Sequence, residues 1–237
     1  MKIVLFEQRT MLTHYNFALL FNLNTYNHEK TNDVRGLCDA NLGTKETERR
    51  GWFIGPVYVD DTIARDENHT QVILTKKFYS GLHPDQEATS INDVSWNSGA
   101  RLWKYEVEKN STVNKYCEND FVLLRYADVL YMKAEAILRG ATNANIGDVL
   151  ALPDFQLIRS RAGLAPYVTL DLPEIYDERG REFAWENVRR RDMIRFGTFI
   201  NSAWRFKTIV GQTHLKWFPI NNEILGSEPR WIQNPGY

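Results

Sequence analysis

Three aromatic residues in the first hundred positions stand among the polar groups that carbohydrate recognition needs. Trp52 follows Arg49 and Arg50 in RRGWFIG, Tyr58 lies in the short apolar run 57–59, and Trp96 sits in NDVSWNSG with Asn92 and Asn97 nearby. A sugar ring packs its axial C–H groups on an aromatic face, while its hydroxyls need Asn, Asp, Arg or backbone partners. Trp52, Tyr58 and Trp96 are therefore the candidate ligand-binding residues. The competing use of the same rings is to plug loops onto a core, because burying large area is the default role of aromatic side chains.

Catalysis asks for a different pattern. Glycoside hydrolysis places two carboxyls about 5–10 Å apart across the scissile bond. Asp60, Asp61, Glu178 and Glu182 are available, but no spacing selects a pair. Glu178 and Glu182 are four apart on a helix, amid arginines that would keep both ionised and leave no proton donor. The chain has no HExxH, GxSxG or phosphate loop. His14, His28, His69, His83 and His214 are scattered, so no catalytic residue, metal site or cofactor is expected.

The elements that would position such a site begin with the stretch 120–140, DFVLLRYADVLYMKAEAILRG. Leu123, Ala127, Leu130, Ala134 and Ile137 recur at helical spacing and predict an amphipathic helix with Asp120 as N-cap. Arg139 and Gly140 supply its stop. Arg125 with Asp128, and Glu135 with Arg139, are spaced to pair along the polar side. Further on, Pro153 suits a first helical turn, Phe155, Ile158 and Ala162 form an apolar face, and Gly163 ends the helix. Asp171 and Glu174, a cap followed three residues later by an acid, read as a capping box for a next helix burying Ile175, Tyr176, Phe183 and Ala184.

Between 174 and 195 stand six acids and six bases, a balance that predicts ion pairs between helices rather than a phosphate-binding surface. The segment 32–119 instead breaks short apolar runs with Gly, Asn, Asp, Thr and Pro, the pattern of long loops with short strands. Ahead of it, Met11, Tyr15, Ala18 and Phe21 could share a helical face. At the other end Pro219, Pro229 and Pro235 exclude a long helix, so 217–237 should wrap the body as a strap pinned by Trp217, Phe218, Trp231 and Tyr237.

The chain has 237 residues, 43% of them hydrophobic, with 29 basic against 30 acidic side chains. A net charge of −1 supplies no field that would recruit nucleic acid. Cys38 and Cys117 are too few for a disulfide framework. No window reaches the roughly 18 apolar residues of a membrane span, and no signal sequence or lipidation motif is visible.

Four blocks stand in a telling order: RYADVLYMKAEA at 125–136, LIRSRAGL at 157–164, ERGREFAWENVRRRDMIRFG at 178–197, and FPI…EI…QNPGY across 218–237. In this the chain resembles the SusD/RagB family. Glu178, Arg179, Glu182, Phe183, Glu186, Arg189, Asp192 and Arg195 carry the third block, and GARLWKY at 99–105 resembles the segment ahead of the first. Asn221 stands where a second proline usually follows FPI, and Asn187 and Val188 depart from the pattern before Arg189.

The resemblance implies a mainly α fold with long irregular loops, a SusD-like helical superfold of tetratricopeptide type, here partial, with N-terminal helices missing. It divides the chain into a variable, loop-rich ligand-binding region, 1–119, and a conserved helical domain, 120–237. It also implies a function: cell-surface capture of oligosaccharide for a SusC-type TonB-dependent transporter. The implied place is the outer membrane, through a lipid anchor on a part N-terminal to this chain. The family's blocks are architectural, so no binding residue transfers by motif. The alternatives are a glycoside hydrolase and a helical scaffold of the transporter complex that binds no glycan.

Overall fold

The computed structural model describes residues 38–39, 51–103 apart from 54, 60–61, 67–68, 76, 97 and 100, and 122–237 apart from 185, 204–205 and 207–209. Met11, Tyr15, Ala18, Phe21 and Asp120 lie outside the described residues.

No Gly or Pro interrupts YADVLYMKAEAIL, and helix α1 (Tyr126–Leu138) forms there. Its N-cap is Arg125 in extended conformation. The helix therefore starts later than an Asp120 cap would place it, and Leu123, expected on the buried stripe, precedes it and is 77% exposed. The rest of the stripe holds: Leu130 and Ala134 are buried, with Ala127 and Ile137 packed beside them. Gly140, at φ 99°, ends the helix in the left-handed region, and the Ala141 N–H donates to the Ala136 carbonyl.

Three helices build the other walls. The Asn145 side chain caps α2 (Ile146–Leu150), accepting from the Gly147 N–H. Pro153 opens α3 (Pro153–Arg161), which stops at Gly163 with φ 75°. Asp171 caps α4 (Leu172–Glu182), its carboxylate accepting from the Glu174 N–H at 2.8 Å. The Glu174 carboxylate instead pairs with Arg181.

Between these helices lies an aromatic core. Tyr131 packs edge-on against Phe155 and Phe183, at centroid distances of 5.3 and 6.0 Å, and Phe155 stacks on Tyr167 at 5.3 Å. Val149, Ile175, Leu130 and Ala134 fill the remainder. Burial of each large side chain is worth about 1.5–3 kcal/mol, so this cluster holds the helices together.

Beside the core runs a layer of charge. Arg179 is wholly buried, and it donates to Asp128 on α1 at 2.6 Å and, in bidentate fashion, to Asp192 on α5 (Arg189–Arg195) at 2.8 and 3.2 Å. Burial alone would lower the Arg179 pKa, but hydrogen bonds and charge from Asp192 and Asp128 outweigh it and hold the pKa above its ordinary value. Arg195 joins Asp192 to Glu135, and Arg139 closes on Glu135 at 2.7 Å as the four-residue spacing predicts. Arg125 does not pair with Asp128 along a polar face. It reaches across to Glu186 and Glu182, because Asp128 points inward to Arg179.

The end of the chain forms the strap. A 3-10 turn (Thr213–Lys216) leads to Pro219 and the short helix α6 (Asn222–Ser227), after which the chain returns alongside itself. Its fastening is polar rather than aromatic. Gln233 donates to and accepts from the Ile220 backbone, the Asn234 amide donates to the Phe218 carbonyl, and the Tyr237 hydroxyl donates to the Trp217 carbonyl. Trp217, Phe218 and Trp231, expected to pin the strap, are more than half exposed. Proline-fixed backbone and side-chain amides hold the ply, which leaves the rings outside it.

Ahead of the helices lies a small β module. Strands β1 (Cys38–Asp39) and β7 (Arg101–Trp103) flank β2 (Gly51–Phe53), the first parallel and the second antiparallel. β3 (Gly55–Pro56) pairs with β6 (Ile73–Leu74), and β4 (Tyr58–Val59) with β5 (Thr62–Ile63), both antiparallel. Backbone bonds from Val57 to Val72 and from Ala64 to Val57 continue the ladder between the named strands.

Candidate functional site

The backbone of 51–59 is the spine of the candidate site. β2 pairs with β7 and β3 with β6, so the described residues between 75 and 99 lie in the connection from one sheet to the other. Trp52 lies at the centre of β2, opposite Leu102, and Tyr58 lies on β4, opposite Ile63. Trp52 thus belongs to a three-stranded sheet, Tyr58 to a separate two-stranded sheet and Trp96 to the connection between β6 and β7, and the side chains of Trp52 and Tyr58 lie outside what the structure describes.

Trp96 rides on a turn fastened from both sides. The Ser95 N–H donates to the Tyr79 carbonyl, and the Ser98 N–H donates to the Ser95 carbonyl. The buried Ser98 hydroxyl bonds the Ser95 carbonyl at 2.9 Å and the Tyr79 carbonyl at 3.3 Å. Gly99 follows at φ 85°, and a Cβ there would lie 2.5 Å from the Phe78 ring, so only glycine fits this close approach. A second anchor lies upstream: the Ser80 hydroxyl donates to Asp93 and accepts from the Leu82 and His83 N–H groups. Trp96 is half-buried, and Asn92, on the 3-10 turn Ile91–Asp93, is exposed beside the same turn. Asn97, Arg49 and Arg50 lie outside the described residues.

Two of the acids a hydrolase could use, Glu178 and Glu182, are committed to ion pairs. Glu178 is fully buried and pairs with Arg181 at 2.6 Å and Arg159 at 3.5 Å. Glu182 pairs with Arg125 at 2.9 Å and Arg161 at 2.7 Å. Each carboxylate therefore faces two guanidinium groups, an arrangement suited to joining helices. Asp60 and Asp61 lie outside the described residues. Among the described residues no group of three or more His, Cys, Asp or Glu could hold a metal ion, and no helix is long and apolar enough to cross a membrane.

One residue escaped the sequence reading. The zero charge sum over 174–195 includes Arg190 and Asp177 as if they cancelled, yet neither makes an ion pair among the described residues. The Arg190 guanidinium lies between the Phe199 and Phe218 rings, 4.9 and 4.3 Å from their centroids. Its Nη2 donates to the Leu215 and Lys216 carbonyls at 2.8 and 3.1 Å. Burial lowers its pKa from the ordinary value, with only Tyr237 acting the other way. A run of three arginines cannot show which one lacks an acid, because the partners come from distant segments.

A mainly helical body fastened by buried ion pairs, with an aromatic-bearing β module ahead of it, defines the class of protein. The chain belongs to the SusD family, whose model matches residues 15–237. It is similar to the starch-binding protein SusD of Bacteroides thetaiotaomicron, with 34% identity over 131 residues, covering 52% of this chain and 22% of that protein. Among solved structures it is similar to surface glycan-binding protein A of Bacteroides thetaiotaomicron in complex with laminarihexaose. That match has 30% identity and a TM-score of 0.41, covering 49% of this chain and 25% of the other. Surface glycan-binding protein A of Bacteroides uniformis matches with 27% identity and a TM-score of 0.41, covering 49% and 28%. The matched region spans about a quarter of each relative's length.

Proposed function

We propose that the chain is part of a cell-surface glycan-binding protein that captures oligosaccharides and delivers them to a SusC-type TonB-dependent transporter of the outer membrane. In this reading residues 1–119 carry the ligand-binding region and 120–237 the helical body. The protein is held at the outer-membrane surface by a lipid anchor and performs no catalysis. The observation that carries the reading is membership of the SusD family over 15–237. The pairing of Glu178 and Glu182 with two arginines each supports a binding rather than a hydrolytic role.

The site of this reading is built on Trp52, Tyr58 and Trp96. Trp52 lies on β2 and Tyr58 on β4, and the turn that bears Trp96 is held by Ser80, Ser95 and Ser98. A starch-type α-glucan is the first ligand to test, since the curated relative is named for starch binding. Affinity electrophoresis of the chain through gels containing α-glucan or β-glucan should show retardation by one of them. Trp52→Ala with Trp96→Ala should abolish it without lowering the melting temperature. Retardation that survives the double substitution would move the site elsewhere, and absence of any glycan binding would favour a scaffold of the transporter complex.

A further inference from the structure

Helix α5 carries a cation, Arg190, with no ion-pair partner among the described residues. Arg125, Arg139, Arg159, Arg161, Arg179, Arg181, Arg191 and Arg195 each lie within ion-pair distance of a carboxylate. Arg190 has none among the described residues. Its Nη2 is spent on the carbonyls of Leu215 and Lys216 at the end of the 3-10 turn, where the negative end of the backbone dipoles favours a cation. Its Nε and Nη1 have no protein acceptor among the described residues. The guanidinium carbon lies 4.9 Å from the Phe199 ring centroid and 4.3 Å from that of Phe218, contacts that restrain the group while its Nε–H and Nη1–H meet no described acceptor.

The surroundings of those donors are aromatic and accessible. Phe218, whose ring centroid lies 4.3 Å from the Arg190 guanidinium, is 71% exposed, and Arg190 itself is partly exposed. The Tyr237 hydroxyl is bonded to the Trp217 carbonyl, and the ring packs edge-on against His214 at 5.1 Å. A planar fork with open donors is the group that recognises carboxylate, and an exposed ring beside it suits the apolar face of a pyranose.

We propose that Arg190, with the exposed Phe218 ring beside it, forms a subsite for a carboxylate-bearing sugar, a uronate residue of an acidic oligosaccharide. This rests on the glycan-binding reading and deepens it: the ligand's acid would supply the charge that no described residue gives Arg190. The subsite lies where α5 meets the start of the strap and shares no residue with Trp52, Tyr58 and Trp96.

The test is calorimetric titration of the full chain with hexagalacturonate, with its methyl ester, and with a neutral maltohexaose, repeated for R190Q, R190K and F218A. Hexagalacturonate should bind, and both methyl esterification and R190Q should weaken binding by about tenfold or more, as loss of a charge-assisted bidentate contact demands. R190K should fall short of wild type, because a lysine lacks the fork. If R190Q unfastens the strap and lowers the melting temperature, F218A carries the test, with an expected loss of about fivefold, that is, about 1 kcal/mol. Equal binding of acid and ester, or full retention in R190K, overturns the subsite. Maltohexaose binding without hexagalacturonate binding overturns it while the glycan-binding reading stands. Binding of neither sugar class, tested also with β-glucan, removes both. Capture of a polyglutamate peptide by wild type but not R190Q, without uronate binding, assigns the surface to an acidic protein segment instead and overturns the sugar proposal.

Discussion

Replacing Arg179 with methionine should be among the most damaging single substitutions in the helical body. The side chain is fully buried between Asp128 and Asp192, which are themselves buried. Methionine keeps much of the stem's packing and removes the charge. Asp192 would still face Arg195 at 2.9 Å, but Asp128 would retain only the long contact to Arg191 at 3.4 Å. Removing one partner from a buried ion pair leaves an uncompensated charge and costs about 3–5 kcal/mol. The Asp192 side survives in part, so a value near the lower end, about 3 kcal/mol, is expected.

Urea unfolding of wild type, R179M and the triple variant R179M/D128L/D192L would measure this. The triple variant should recover most of the loss, because replacing a whole buried charge cluster by apolar groups is often neutral or stabilising. Its recovery is limited by Arg191 and Arg195, which would then lack those acids. A cost below about 1 kcal/mol in R179M would refute the assignment of Arg179 as the central tie of three helices. So would a triple variant less stable than the single.

Other expectations concern the core, the caps and the loop module. The Tyr131 and Tyr167 hydroxyls lie 3.3 Å apart, and burial pushes both pKa values up. Folding then holds their protons more tightly than the unfolded chain does. Stability is therefore undiminished below about pH 10 and falls as pH rises above it, by about 1.4 kcal/mol per pH unit for each tyrosine. Urea midpoints between pH 9 and 11 should show this slope, and Tyr131→Phe with Tyr167→Phe should flatten it. Asp171→Ala removes the α4 cap and should cost about 1 kcal/mol by thermal or urea unfolding. Gly99→Ala forces a Cβ against Phe78 at positive φ, which should cost about 1–3 kcal/mol. It should also speed amide exchange across 77–99 while leaving 126–195 unchanged.

Periodicity located the interior of α1 well and its start badly. Leu130 and Ala134 repeat at helical spacing and are buried, and no other period fits them. Asp120 had the chemistry of a cap, but the residues just before the helix, including Leu123 and Arg125, are not helical, and Arg125 is drawn away to Glu186 and Glu182. Local signals succeeded where the interaction itself is local: the Asp171 cap, Pro153 at a first turn, Gly140 and Gly163 at helix ends, and the Glu135–Arg139 pair.

Contacts between distant segments were less readable. The charge balance over 174–195 announced a network, yet Arg179 reaches Asp128 fifty-one positions away. Nothing in the spacing distinguishes that buried acid from an exposed one. Arg190 was hidden for the same reason, since the carbonyls and rings it meets lie in later segments. The aromatic strap was misjudged because proline and side-chain amides, rather than ring burial, do its fastening. For Trp52, Tyr58 and Trp96 the pattern of rings among polar residues could name candidates. How those rings stand to one another was not readable from local pattern, because Trp52 and Tyr58 fall in different sheets and Trp96 in the connection between β6 and β7.

The position of Arg179 also has a kinetic meaning. A guanidinium stripped of water is costly until Asp128 and Asp192 are both in place, and those acids arrive on separate helices. The complete tie therefore forms late in folding, after α1, α4 and α5 have gathered. An interaction absent from the folding transition state is one that must be broken to climb back to it, so it slows unfolding more than it speeds folding. The helical body should thus persist through brief destabilising conditions and resist proteases that act on transiently opened chains, a durable base for the β module ahead of it.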